Sequence, residues 1–265
     1  VAFPLERRLQ HRNDGMTHLD QDSLNRVAPT RLDMSLDVGL RRFMLGVYNK
    51  VALGLVLSAA LAYLTSMVPP IRDAMFRLTA DGRFAGYTLV GMVVAFAPLV
   101  VLLGSMFAMR KASARGAGLL FWSISALIGA SLGVLGLVYT GASLATTFLI
   151  TAAAFGGLSL FGYTTKKDLT GFGSFLLVGL VGLIVASLVQ MVWNPPGFSF
   201  VISALGVLIF AGLIAHDTQR LKLTYHELGG DTAALGAASS YGALSLYLDF
   251  INLFQFLLNL FGQRR

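Results

Sequence analysis

The sequence predicts an all-α integral membrane protein built as a seven-transmembrane helix bundle, and three observations predict it. Hydrophobic residues make up 55% of the 265, whereas charged residues make up 12%, about half the roughly 25% carried by a soluble domain. That much apolar mass cannot be hidden inside one globule of this length, which excludes a soluble enzyme, a disordered chain and a fibrous repeat. The apolar residues also fall into seven runs, near 45–67, 87–108, 117–139, 144–162, 171–192, 198–216 and 241–262, each close to the ~20 residues that cross a bilayer as a helix. Finally, no run alternates with a period of two, so barrel strands are excluded.

Taken in order, residues 1–42 are polar, mixed in charge and without helical periodicity, and read as a mostly disordered cytoplasmic tail. They lack the apolar core of a cleaved signal peptide. Residues 43–265 form the transmembrane domain. The first span (GVYNKVALGLVLSAALAYLTSM) ends at Pro69-Pro70, and the second, with a kink expected at Pro98, ends at Arg110-Lys111. The third has a small-residue face of Gly129, Gly133 and Gly136 suited to close helix packing, and stops before Gly141. Lys166-Lys167-Asp168 follows the fourth span. The fifth has Gly179 and Gly182 on a similar face and ends at Asn194-Pro195-Pro196, while Gly229-Gly230 lies between the sixth and seventh. Trp122 and Tyr87 suit interfacial anchoring.

The net charge is +7. In a bilayer protein this indicates basic cytoplasmic loops rather than nucleic-acid binding. Only Arg72, Arg77, Arg83, Arg264 and Arg265 fall in loops one, three and five or at the C-terminus; most of the other basic residues are in the tail and in loops two, four and six. The tail is therefore placed in the cytoplasm and, with seven spans, the C-terminus outside. A re-entrant seventh segment would instead return Arg264-Arg265 to the cytoplasm.

Of 13 acidic residues, eleven lie in the tail or loops. Asp217 ends span six (LIAHDTQRLK), and Asp249 alone lies well within a span (LSLYLDFINLF). A carboxylate there costs at least about 2.5–3.5 kcal/mol on insertion scales and requires a partner, water or a proton. At ~100° per residue, Ser245, Asp249, Asn252, Gln255 and Asn259 share one face of span seven, opposite Leu246, Phe250, Phe254 and Leu257. A continuous polar stripe turns toward the bundle interior or a water-filled pore. Asp249 lies eight residues, roughly 12 Å, into its span, so Asp217 and Asp249 can meet across adjacent helices. Such a pair shares a proton and acts as a pH-dependent latch. With both groups ionised it becomes an oxygen site for a hard cation such as Ca²⁺. Two plainer readings stay open: Asp217 as an exposed interfacial residue, and Asp249 as one half of a helix–helix hydrogen bond. His216, beside Asp217, either tunes its titration or is incidental.

The strings AGLIAHDTQRLK, GALSLYLDFINLFQFLLNLFG and TGASLATTFLITAAAFGGLSLFGYTTKKDLTGFGSFL resemble the transmembrane Bax-inhibitor-motif family in its bacterial branch, and the similarity runs from Leu36 to the C-terminus. The resemblance implies seven helices with the last at the centre, and a pH-sensitive calcium leak gated by two aspartates that match Asp217 and Asp249. His216 stands where the family commonly has Tyr, and the loop between the aspartates reads as longer and rich in Gly and Ala. The resemblance further implies a basic latch partner after span two, best matched by Arg110, with Lys111 or Arg115 as substitutes. It also implies an association with a membrane-anchored AAA protease.

Cysteine is absent, as are HExxH, P-loop and GxSxG motifs, and the four histidines (11, 18, 216 and 226) do not fall on facing spans. The expected function is therefore non-enzymatic: a bacterial inner-membrane Ca²⁺ leak channel with no cofactor, Ca²⁺ as permeant ion and membrane lipid as surroundings. The alternatives are a partner protein that modulates an AAA quality-control protease and a proton-coupled transporter of a small solute.

Overall fold

In hydrocarbon a backbone has no water to bond, so apolar runs of this length satisfy their amides as helices. The computed structural model describes residues 38–108, 113–193 and 195–265, and these are almost entirely helical. The first helix is α1 (Val38–Met67). After it come α2 (Pro69–Met75), strands β1 (Phe76–Leu78) and β2 (Phe84–Tyr87), α3 (Leu89–Ala108), α4 (Ala114–Ser131), α5 (Gly133–Val138), α6 (Gly141–Thr164), α7 (Thr170–Val192), α8 (Phe198–Glu227) and α9 (Thr232–Phe261). Among the described residues six helices are long and apolar enough to cross a membrane: α1, α4 continued by α5, α6, α7, α8 and α9. The apolar stretch of α3, Leu89–Ser105, is shorter. The chain is thus an all-α, multi-pass membrane protein whose compact unit is Met44–Arg265.

Several expected boundaries move. Helix α1 is already formed at Val38, inside the segment read as tail; the rest of that tail, 1–37, lies outside the described residues, as do Arg110 and Lys111. Loop one is not irregular: β1 and β2 pair antiparallel, with Phe76 opposite Tyr87. Phe76, Phe84 and Tyr87 form an aromatic cluster with ring centroids 5.2–6.0 Å apart, whose burial pushes the Tyr87 hydroxyl above its usual titration range. The expected long loop between the two aspartates is instead mostly helix. Thr218, Gln219 and Leu221 are buried, so packing continues α8 to Glu227. The Asp231 carboxylate then accepts the amides of Ala233 (2.9 Å) and Ala234 (3.1 Å) and starts α9 nine residues before residue 241. Between them, Gly229 and Gly230 take φ of 55° and 94°, a region that glycine enters without strain.

The small-residue face of span three packs as its spacing predicts. A Cβ on Gly129 would lie 2.4 Å from Ser58 Cα, and one on Gly133 would lie 2.0 Å from Thr65 Oγ1, so α1 and α4–α5 touch backbone to backbone. Gly182 does not behave like Gly179: it has nothing within 4 Å, whereas Gly179 meets Ile209. Helix α9 packs against α4, α6 and α8, and its apolar window is 56% buried against 33% in α8 and 11% in α7. Leu253 and Leu257 of α9 join Leu183, Ile202, Phe210 and Ile214 in one core. The far end of α9 is clasped to the α5–α6 junction. Thr140 N donates to Gln263 O (3.1 Å), Arg265 N to Val138 O (2.9 Å), and Tyr139 Oη to Asn259 Oδ1 (2.8 Å). Helix α9 is therefore one unbroken helix, long and apolar enough to span, and residues 263–265 lie against the turn where α6 begins.

Candidate functional site

The 30-residue α8 and α9 run antiparallel, and their facing polar residues meet away from the clasp. Asp217 is not the exposed interfacial residue that one reading allowed, since its side chain is only 13% exposed. Its Oδ1 lies 2.9 Å from His216 Nδ1, and its Oδ2 accepts a short hydrogen bond from Ser245 Oγ of α9. Ser245 stands one turn before Asp249 on the same face of α9, roughly 5–6 Å away at Cβ, so Asp217 is bonded to the residue one turn before Asp249. Asp249 is buried, and its Oδ2 has no hydrogen-bond partner among the described residues. An orphaned carboxylate oxygen in this setting demands a proton, a water or a cation.

His216 owes its position to α7. A Cβ on Gly173 would lie 2.3 Å from His216 Nε2, so the glycine makes room for the imidazole that meets Asp217. A cavity of about 230 Å³ opens beside Asp217, lined by Asp217, Arg220, Thr224, Tyr241 and Ser245 among others. Arg220 is the basic residue seen at this mouth. Among the described residues no three of His, Cys, Asp and Glu converge as metal ligands.

The remaining stripe residues differ in their surroundings. Asn252 Nδ2 donates to Leu248 O of its own helix (2.8 Å), Gln255 is half-buried, and Asn259, exposed, accepts from Tyr139. The opposite arc is the more enclosed of the two: Leu246, Phe250, Phe254 and Leu257 are all buried, whereas of the stripe only Asp249 is.

Three polar contacts escaped sequence reasoning. Lys50 of α1 donates to Ser239 Oγ (3.1 Å) and Ser240 Oγ (2.9 Å) of α9; the signal was a lysine within an apolar run. Ser58 Oγ lies 2.6 Å from Tyr247 Oη and ties the middle of α1 to α9. Gln219 Oε1 accepts Leu169 N and its Nε2 donates to Lys167 O, both at 2.7 Å, pinning the α6–α7 loop to α8. In that loop, hydrogen bonds from the Thr170 hydroxyl and amide hold the Asp168 carboxyl below its usual range.

The chain is similar to known proteins over most of its length. The profile of the family described as inhibitor of apoptosis-promoting Bax1 matches residues 40–265. An uncharacterized protein of Caulobacter vibrioides is 64% identical over 89% of this chain and 94% of its own length. The inner membrane protein YbhL of Escherichia coli is 41% identical over 86% of this chain and 94% of its own. An uncharacterized protein of Rickettsia prowazekii is 41% identical over 92% and 99% respectively.

Proposed function

We propose a function on the premise that this chain belongs to the Bax1-I family, the inhibitors of apoptosis-promoting Bax1: it is a pH-sensitive Ca²⁺ leak channel of the bacterial inner membrane. In this reading α3 completes seven spans, α9 is the central helix, the N-terminus is cytoplasmic, and no catalysis is involved. One observation carries the proposal. Asp217, which lines a cavity, is tied by Ser245 to the turn that precedes Asp249, whose Oδ2 is buried and has no hydrogen-bond partner among the described residues.

The geometry suggests the gate. A proton shared within the pair lets α8 and α9 stay joined through Ser245. Ionising both carboxyls sets two like charges against each other across α8 and α9; at a separation of about 4 Å and an effective dielectric near 20 such a repulsion is about 4 kcal/mol. That energy suffices to shift a two-state gate with a gap of a few kcal/mol. The cavity is then the mouth on the Asp217 side, and Asn252, Gln255 and Asn259 continue the polar path along α9. His216 orients Asp217, and Arg110 remains the candidate basic partner.

The test is Ca²⁺ entry into liposomes that contain only this protein, followed across pH. A pH-dependent flux that Asp217→Asn and Asp249→Asn each flatten, in correctly inserted protein, supports the channel. No flux at any pH overturns it. Flux that requires a proton gradient rather than a Ca²⁺ gradient indicates a coupled transporter instead.

A further inference from the structure

A second cavity, of about 470 Å³, is bounded by α1, α4–α5, α6 and α9 on the clasp side of the bundle. Its size falls within the range of small-molecule pockets, about 300–1,000 Å³. Its floor is Phe250, Ile251 and Phe254, and Ala59 and Ala62 of α1 leave it open by having short side chains. The two serine hydroxyls on its wall are engaged within the protein: Ser58 lies 2.6 Å from Tyr247 Oη, and Ser66 Oγ donates to Tyr63 O at 3.1 Å. An apolar cavity with its polar groups satisfied does not hold ordered water.

The exposed part of the lining lies on helices long and apolar enough to span a bilayer. Tyr63, Met67 and Phe148 line the cavity and are 65%, 45% and 37% exposed, and all three lie on membrane-spanning helices. What meets them there is hydrocarbon. Along α1 the lining runs from Leu55 to Met67, twelve residues or about 18 Å, close to the ~15 Å depth of one leaflet's hydrocarbon. At the outer end of the cavity, Gly136 and Gly141 flank Tyr139. The Arg264 guanidinium sits over the Tyr139 ring at 5.8 Å, and Arg265 is bonded to Val138 through its backbone, leaving both basic side chains exposed. The two arginines do not line the cavity but are held against Val138 and Tyr139, between its lining residues Gly136 and Gly141, and basic residues next to an interhelical apolar groove match an anionic lipid headgroup.

We infer that this crevice is a binding site for one anionic phospholipid of the leaflet on the clasp side, with an acyl chain between α1 and α6 and its phosphate at Arg264 and Arg265. The inference does not depend on the leak-channel reading. The test uses the full chain in vesicles of phosphatidylethanolamine with a phosphatidylglycerol that carries a photoactivatable group on its acyl chain. Labelling is expected to be several-fold denser on residues 55–67 and 141–148 than on the lipid-facing residues Val181 and Leu188 of α7. Ala62→Trp, which fills the cavity, should remove that excess. Arg264→Gln with Arg265→Gln, outside the packed helices, should remove the preference for phosphatidylglycerol over a zwitterionic probe while the protein stays folded. Labelling of the crevice no denser than that of α7 in the unmodified protein overturns the inference, as does crosslinking of the crevice to a second copy of the chain in its place. A preference unchanged by the double Arg substitution overturns the headgroup assignment.

Discussion

Substituting Ser245 by Ala removes the hydroxyl that joins Asp217 of α8 to α9 while leaving both carboxyls in place. The bond is charge-assisted whenever Asp217 is ionised, and such bonds contribute about 1.5–3 kcal/mol. Asp217 keeps its contact with His216 at 2.9 Å, so the loss concerns the link between the two helices rather than the folding of either. If that link holds the closed arrangement, 1.5–3 kcal/mol changes the open-to-closed ratio by roughly tenfold to a hundredfold. The assay is Ca²⁺ flux into liposomes at fixed protein density, with thermal unfolding in detergent as the control for integrity. Ser245→Ala should raise flux at the pH where the unmodified protein leaks least. Ser245→Thr, which keeps a donor, should behave nearly as the original. A stable Ser245→Ala protein whose flux and pH profile match the unmodified protein would refute the link between this hydrogen bond and gating.

Other expectations test the scaffold. Gly133→Ala forces a Cβ to within 2.0 Å of Thr65 Oγ1 and should cost about 1–3 kcal/mol as overpacking; Gly182→Ala, with nothing within 4 Å, should leave the unfolding temperature in detergent unchanged. Asp231→Ala removes the acceptor for two orphan amides at the start of α9 and should lower stability by about 1 kcal/mol, read by denaturant titration. Gln219→Leu breaks both bonds that hold the α6–α7 loop. It should speed protease cleavage between residues 165 and 169 without unfolding the bundle, and an unchanged cleavage rate would mean that the loop is held by other contacts.

How much of this was legible in the chain follows from the range of each interaction. Hydropathy is a local property, so the apolar runs, the all-α class and the isolation of Asp249 within a span could be read directly. The polar stripe could be read for the same reason, because a helix repeats every 3.6 residues whatever it packs against. The glycines of span three announced a close approach, but not that Ser58 and Thr65 of α1 receive it. Helix ends were the weakest reading, because the stretch after Asp217 looks polar and loop-like until Thr218, Gln219 and Leu221 are seen to be buried against neighbours.

The sequence by itself therefore determined that this protein lives in a bilayer and which two carboxyls deserve suspicion. Only the tertiary structure decided that Asp217 is held by Ser245, that Gly173 seats His216 beside it, that Lys50 reaches Ser239 and Ser240, and that the chain end is bonded to residues 138–140. The physical reason is that transfer into hydrocarbon is set residue by residue, whereas a polar group's partner is set by which helices meet. For groups up to 190 positions apart, no local pattern encodes that meeting.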